Sequence, residues 1–564
     1  MTSRSFEPND KRTVVSPNGA RVHEDHLAQS AVLRRNFYEV CPGAWCLVGN
    51  GLSNQTFIDA PGGIIAFDTG ESVQEMAVAL KELRAHTDRP IAAVVYTHFH
   101  YVEGTQAVLD EGNHANPLPV YGHRRIAENK ARTAGEIASA YARGLVEQFG
   151  IVMPADGPDG LVNVGLGLFY RNPAHAPATF GFLPVTHPLP DEGEVIIAGE
   201  RVLVRHSPSD SDDSINFFFP RSKVCVHNTI WPVLFNVFAI RGEEYRDPCV
   251  LVPGIDNIIG WSPEHLIATH GPPLSGQERI RETSERYRDS LQFLWDQTVR
   301  GINKGWTMDE VASRVALPTL YDQDHFTSER YGVGEHHVRQ IYAGLRGWFD
   351  GEESKLFPLR PEERFEKLIA GFGGRGEVAK QASSAFDADD VRWGVELATW
   401  LARSADATAE DKKLLARGLR LVAQRTPAAN IRNWAITRAR HLDGQTPMDR
   451  FMKHSFGART IAHVSAKDLI HTLRVLLEPA RAEGVTVHIR FVVDGEPAGL
   501  LLRNCVAVPT DGAGAVVEVA MTRTTLVAIL STKQPWSTAN VEVTGDSAVV
   551  DTFRRCFDHV GLQG

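Results

Sequence analysis

Short apolar runs punctuated by turn residues fill the first half of the chain. Residues 45–48, 55–60 and 63–68 predict consecutive strands, and Pro61-Gly62-Gly63 supplies a hairpin turn between the last two. Apolar positions at Val73, Met76, Ala77, Leu80 and Leu83 predict a helix over 72–87. Ile91-Ala92-Ala93-Val94-Val95 is apolar throughout, the pattern of a strand covered on both faces. Residues 113–195 are rich in Gly and Pro and read mostly as loop, a lid or a substrate wall. Further strands follow at 195–199, 201–206, 215–219, 223–226 and 265–269. From about 277 to 440 the period becomes helical, as at 287–299 and 336–348. Helices rich in Ala, Leu and Arg over 379–441 pack around Trp393, Trp400 and Trp434. From 446 onward a smaller α/β unit holds strands at 486–493 and 516–521. The first 30 or so residues are polar and read as an arm.

Polar clusters sit where these strands end. Tyr96-Thr97-His98-Phe99-His100 follows the run 91–95, and chemistry in α/β proteins gathers at the C-terminal ends of strands. Two imidazoles one residue apart converge on one ion only from extended, turning backbone, because i and i+2 do not share a helix face. His98 and His100 are therefore expected to be metal ligands, for zinc or a similar borderline ion. Three more clusters repeat the placement: Asp210 to Asp213, His227-Asn228, and His270. One ligand group per strand is how a metal site is built across a sheet edge.

Composition narrows the setting. At 564 residues the chain exceeds one core, with the 43% apolar and 23% charged content of an ordinary globular protein. A net charge of -10 argues against nucleic acid or an anionic membrane as partner. No stretch of about 18 apolar residues is present, so no membrane span is expected. The opening residues are polar and acidic without a signal-peptide core, so the cytoplasm is the expected compartment. Cysteines at 41, 46, 225, 249, 505 and 556 are too scattered for a zinc ribbon or a disulfide framework, and Cys225 reads as simply buried.

The order His-x-His, acidic turn, strand ending at a ligand, then His-Gly resembles the metallo-β-lactamase superfamily. Downstream, Asn236-Val237-Phe238-Ala239-Ile240-Arg241-Gly242-Glu243-Glu244-Tyr245-Arg246-Asp247 is similar to a stretch of the alkyl sulfatases of that fold. So are residues 269–276 and 287–298, Tyr331-Gly332 with His336, and Gly347-Trp348-Phe349-Asp350-Gly351. The resemblance covers about residues 40–564. It implies an α/β chain: an N-terminal arm (1–36), a catalytic αββα sandwich (37–276), an all-α dimerisation domain (277–442) and a small α+β sterol-carrier-like domain (446–564). It implies a first ion on His98, His100 and Asp210, and a second on His270 with Glu103 or His227. The family pattern His-x-His-x-Asp-His is broken here by Val102 and Glu103, and Asn228 stands at the bridging acid.

One or two divalent ions, zinc with iron or manganese as alternatives, would acidify bound water from about 15.7 toward ~7. Arg241 is a candidate clamp for an anionic group, with an ion pair to Glu243, Glu244 or Asp247 as its alternative role. Arg246 and Tyr245 are further candidates, and Tyr101 is expected to pack. The apolar loop residues Leu166, Leu168, Phe169, Phe180 and Phe182 would face an alkyl chain or join the core. These features imply a metal-dependent hydrolase of an anionic, amphiphilic ester such as an alkyl sulfate, working as a homodimer. Two alternatives stand: a metal-dependent biosynthetic enzyme of the same fold, and a lipid-binding dimer with a decayed site.

Overall fold

The computed structural model describes residues 5–452, 456–461 and 464–564. Backbone contacts divide it into two units, one running to Ile126 and from Gly144–Pro447, the other made of Ala127–Arg143 and Met448–Gly564.

The first unit is built on two facing sheets. A seven-stranded sheet runs in the order Asn36–Cys41, Ala44–Val48, Gln55–Ala60, Gly63–Phe67, Ile91–Val95, Val120–Gly122, His187–Pro188. A six-stranded sheet runs Glu192–Ile197, Glu200–His206, Ile215–Phe219, Val224–His227, His265–Ala268, Leu274–Ser275. Strand alternation explains the unbroken apolar runs. Ile65, Phe67, Ala93 and Val95 point into the layer between the sheets, where Phe67 meets Phe217 edge-on at 5.0 Å. Ile64, Ala66 and Val94 point the other way, onto the helix Val73–Leu83. In the second sheet Val224 and Val226 face inward, while Cys225 packs outward among residues of Pro248–Trp261 and Gln277–Asn303. Both faces of both sheets are thus covered, giving the αββα layering of the metallo-β-lactamase fold. Ala60 pairs with Gly63 across the expected Pro61-Gly62 turn.

Beyond the sandwich, helices from Gln277–Asn303 to Ala429–Leu442 form the expected helical region, and Trp393, Trp400 and Trp434 all pack in one cluster. In the second unit a five-stranded sheet, with Val487–Val493 at its centre, supports a separate apolar cluster. Among the described residues no helix is long and apolar enough to cross a membrane, and all six cysteines are free thiols.

One expectation holds with an addition, and one fails. Residues 113–195 are mostly loop, as expected, but they also hold two unexpected helices, Ile126–Ala134 and Ala138–Gln148. Their periodicity is hidden because alanines carry much of the apolar face and glycines interrupt it. The N-terminal arm is also structured in its described part. A hairpin, Thr13–Val15 with Arg21–His23, leads into the helix Glu24–Val32, and Val22 and Leu33 are fully buried. Polar residues there are consumed by hydrogen bonds rather than solvated: Gln29 donates to the carbonyls of Gly165 and Pro232 at 3.1 and 3.2 Å.

The loops below the site turn on Glu75. Its carboxylate accepts from Gln55 at 2.8 Å and from the Glu71 N–H at 3.2 Å. A Cβ at Gly51 or Gly70 would lie 2.3 Å from that carboxylate and displace it, and Gly70 also has φ +74°, where any side chain is strained. Burial first, then the neighbouring Glu71, pushes the Glu75 carboxyl up from 4.5 to about 8. An acid so raised binds its proton more tightly in the folded chain. Its stabilisation is therefore present below pH 4.5 and is lost as pH rises toward 8. Glu75→Gln is expected to raise the melting temperature at pH 8 by a few degrees relative to the parent, with the gain vanishing near pH 4.5. A thermal scan at several pH values checks this, and a constant difference would contradict it.

Candidate metal centre

The strand Ile91–Val95 ends at Tyr96, and the next residues change conformation sharply. His98 is extended (φ -166°, ψ -179°), and Phe99–Tyr101 forms one 3₁₀ turn. That switch brings two side chains two residues apart onto one point. Asp210 reaches the same point from the loop after Glu200–His206, in the other sheet. His98 Nε2 lies 3.7 Å from Asp210 Oδ1, and His100 Nδ1 lies 3.0 Å from Asp210 Oδ2. One ligand atom from each of His98, His100 and Asp210 lies within 4.8 Å of the others.

His98 is held in the tautomer a metal needs. Thr97 Oγ1 donates to Asp68 Oδ2 at 2.7 Å, so it can accept from His98 Nδ1 at 2.9 Å. Nε2 is then left with its lone pair facing Asp210. This Nε2 is buried and has no hydrogen-bond partner. A cation answers that deficit, and the imidazole–imidazole–carboxylate set suits a borderline divalent ion. Asp68 and Thr97 went unnoticed in the sequence. Their signal is position: Asp68 follows directly on the strand Gly63–Phe67, as His98 follows its own.

The surroundings are strongly charged. Glu243 Oε1 lies 3.4 Å from His100 Nε2 and 2.8 Å from Arg241 Nη2, while its other oxygen pairs with Arg246. Two guanidiniums and one carboxylate leave one net positive charge beside the histidines. Arg241 therefore takes the ion-pair role with Glu243. Burial alone would lower His100, yet Asp210 and Glu243 raise it to about 9. Burial dominates at His98, which falls to about 3. Asp210 is held well below the usual carboxylate range because the two histidines outweigh its burial.

The remaining candidates are placed as follows. His270 stands close by, but Nδ1 bonds the Leu52 carbonyl at 3.0 Å and Nε2 bonds the Tyr101 hydroxyl at 3.3 Å. His227 does not join the cluster. It shares the outward face of Cys225, and its Nδ1 accepts the Thr229 and Ile230 N–H groups. Burial alone lowers it to about 3, with no charged group among the causes. Its neighbour Asn228 has the inward parity and donates to Asp210 Oδ1 at 2.7 Å. Glu103 is an electrostatic neighbour of Arg171 and Tyr96 rather than a member of the metal-ligating group. Tyr245 and Arg246 line a cavity of about 110 Å³ together with Ser209 and Asp210. The Tyr245 hydroxyl is buried without a hydrogen bond. Of the lid residues, Leu166 is core and Phe182 packs on the helix-facing cluster, whereas Leu168, Phe169 and Phe180 stay half-buried.

Comparison with known proteins now bears on this geometry. Residues 307–445 match the family model for alkyl sulfatase dimerisation, and 455–561 that for the alkyl sulfatase C-terminal region. A linear primary-alkylsulfatase from Pseudomonas sp. is 31% identical over 524 residues, covering 89% of this chain and 98% of the relative. The chain belongs to the alkylsulfatase family.

An (R)-specific secondary-alkylsulfatase from Pseudomonas sp. is 27% identical over 97% of this chain and 83% of its own length. The solved structure of a stereoselective inverting sec-alkylsulfatase from Pseudomonas sp. superposes with a TM-score of 0.84 at 24% identity, covering 98% of this chain and 90% of that one, and has the same fold. Within this alkylsulfatase frame the three residues expected to hold the first ion, His98, His100 and Asp210, lie together in space. At the two positions where the sequence departs from the expected pattern stand a fully buried valine, Val102, and Glu103.

His98→Ala or His100→Ala is expected to remove most bound metal from the purified protein, read by elemental analysis. Asn228→Ala, which deletes only a neutral donor to Asp210, is expected to keep metal binding within several-fold. Equal loss in Asn228→Ala and His98→Ala would contradict the ligand assignment.

Proposed function

We propose that this chain is a metal-dependent hydrolase of sulfate esters, with an amphiphilic alkyl sulfate as substrate. The observation that carries the reading is the gathering of His98, His100 and Asp210 ligand atoms within 4.8 Å, from loops that follow strands of two different sheets. Family membership supplies the reaction class. In the proposed organisation the described arm within 1–36 precedes a catalytic domain (37–276), a helical dimerisation domain (277–442) and a C-terminal domain (446–564). A homodimer formed through the helical domain is supported by the dimerisation match over 307–445. Zinc is the proposed ion, and the cytoplasm the proposed compartment.

In this reading His98, His100 and Asp210 hold the ion. When bound, it supplies a Lewis acid that acidifies water at neutral pH. The chain's own groups do the rest. Arg241 and Arg246, sharing Glu243, keep one positive charge beside the centre and favour an anionic ester. Tyr245 and Arg246 line the small cavity next to Asp210, a place for sulfate oxygens. Half-buried Leu168, Phe169 and Phe180 offer an apolar wall for the alkyl chain. A second reading, a different reaction on the same scaffold, is favoured by Val102 and Asn228, where the family carries ligands.

Zinc-loaded protein is expected to release sulfate from dodecyl sulfate or a secondary alkyl sulfate, and to lose that activity on chelation. Metal bound without sulfate release would favour the second reading, and a folded chain that takes up no ion would favour a lipid-binding dimer with a decayed site. Arg246→Met is expected to lower kcat/KM by roughly 10- to 100-fold, the loss of about 1.5–3 kcal/mol from one charge-assisted contact. An unchanged kcat/KM would remove Arg246 from the substrate site.

A further inference from the structure

Around this centre His270, Asn228, Val102 and His227 are each engaged elsewhere or turned away from a second ion. His270 donates Nδ1–H to the Leu52 carbonyl at 3.0 Å, so Nε2 carries the lone pair. That lone pair already receives the Tyr101 hydroxyl at 3.3 Å. The Tyr101 ring stands edge-on to both histidines, 5.1 Å from His98 and 5.3 Å from His270, and so fills the space between them. Asn228 turns its NH₂ toward Asp210, at 2.7 Å, and its amide oxygen toward Trp231 Nε1, at 3.2 Å. An amide held this way cannot bridge two cations through its oxygen. Val102 is fully buried in the apolar cluster with Met76, Val94 and Phe99. His227 lies on the opposite face of its strand, with Nδ1 spent on backbone N–H groups.

We infer that this centre takes a single divalent ion, and that the Tyr101 side chain, hydrogen-bonded to His270, occupies the place of a second one. The inference rests on the reading of His98, His100 and Asp210 as the ligands of the first ion. Tyr101 is then a positioning residue: it satisfies the His270 lone pair that would otherwise be left facing the cluster. The positive charge beside the first ion comes from Arg241 and Arg246.

The test is metal stoichiometry on the full chain. Protein supplied with excess zinc and then dialysed is expected to hold one zinc per chain, by elemental analysis and by calorimetric titration. His270→Asn is expected to leave that count at one, and His98→Ala to take it toward zero. A variant carrying Val102→Asp, Glu103→His and Asn228→Asp together with Tyr101→Phe is expected to bind a second zinc. Two zinc ions in the parent, the second lost in His270→Asn, would overturn the single-ion inference while leaving the first site standing. One zinc in the parent and less in His270→Asn would make His270 a ligand of that ion and overturn the role given to Tyr101. A folded parent that binds no zinc would instead overturn the ligand reading and this inference with it. Should the four-fold variant not fold, the parent and His270→Asn counts decide alone.

Discussion

A carboxylate almost out of reach of water has to be answered by positive charge, and the arrangement around Asp210 follows from that need. Its two oxygens face His98 and His100 from one side and the Asn228 amide from another. Leaving such a charge unpaired costs several kcal/mol, more than most single contacts contribute. Without a cation, a proton on His100 supplies the charge, which is why that imidazole is raised to about 9. A divalent ion is the alternative answer to the same deficit. Glu243 repeats the pattern one step out, with two guanidiniums against a single carboxylate. The centre is therefore a short run of alternating charges linking the first sheet, the second sheet and the segment that follows it.

The strands and the cluster of His98, His100 and Asp210 were legible because they depend on local pattern. An unbroken apolar run announces a strand covered on both faces, and a polar residue at its end has little reason to be there except chemistry. His98, His100 and Asp210 satisfy that rule. His227 satisfies it too, and it misleads. One residue of register decides whether a side chain at a strand end points to the site or to the helix behind it, and the sequence does not show which. Asn228, next along, has the inward parity. The helices within 126–148 were hidden by alanine and glycine, and the N-terminal segment by polar residues such as Gln29 whose partners lie far along the chain. Long-range hydrogen bonds leave no local trace.

Kinship with the alkylsulfatases rests on the scaffold and does not depend on any one side chain of the centre. Sheet order, helical region and C-terminal unit are held by distributed apolar packing, which tolerates extensive substitution. A metal position depends on one or two side chains and is far easier to lose. Here Val102 is a core residue, and its neighbour Tyr101 bonds His270.

Residues Ala127–Arg143 leave the first unit and pack with Met448–Gly564, where Ala138 joins the apolar cluster. More than half of the polypeptide must therefore be synthesised before this stretch meets the residues that cover it. During translation its apolar face stays uncovered until residues from 448 onward emerge. Cutting the gene at the start of the last domain would leave both fragments with an uncovered seam.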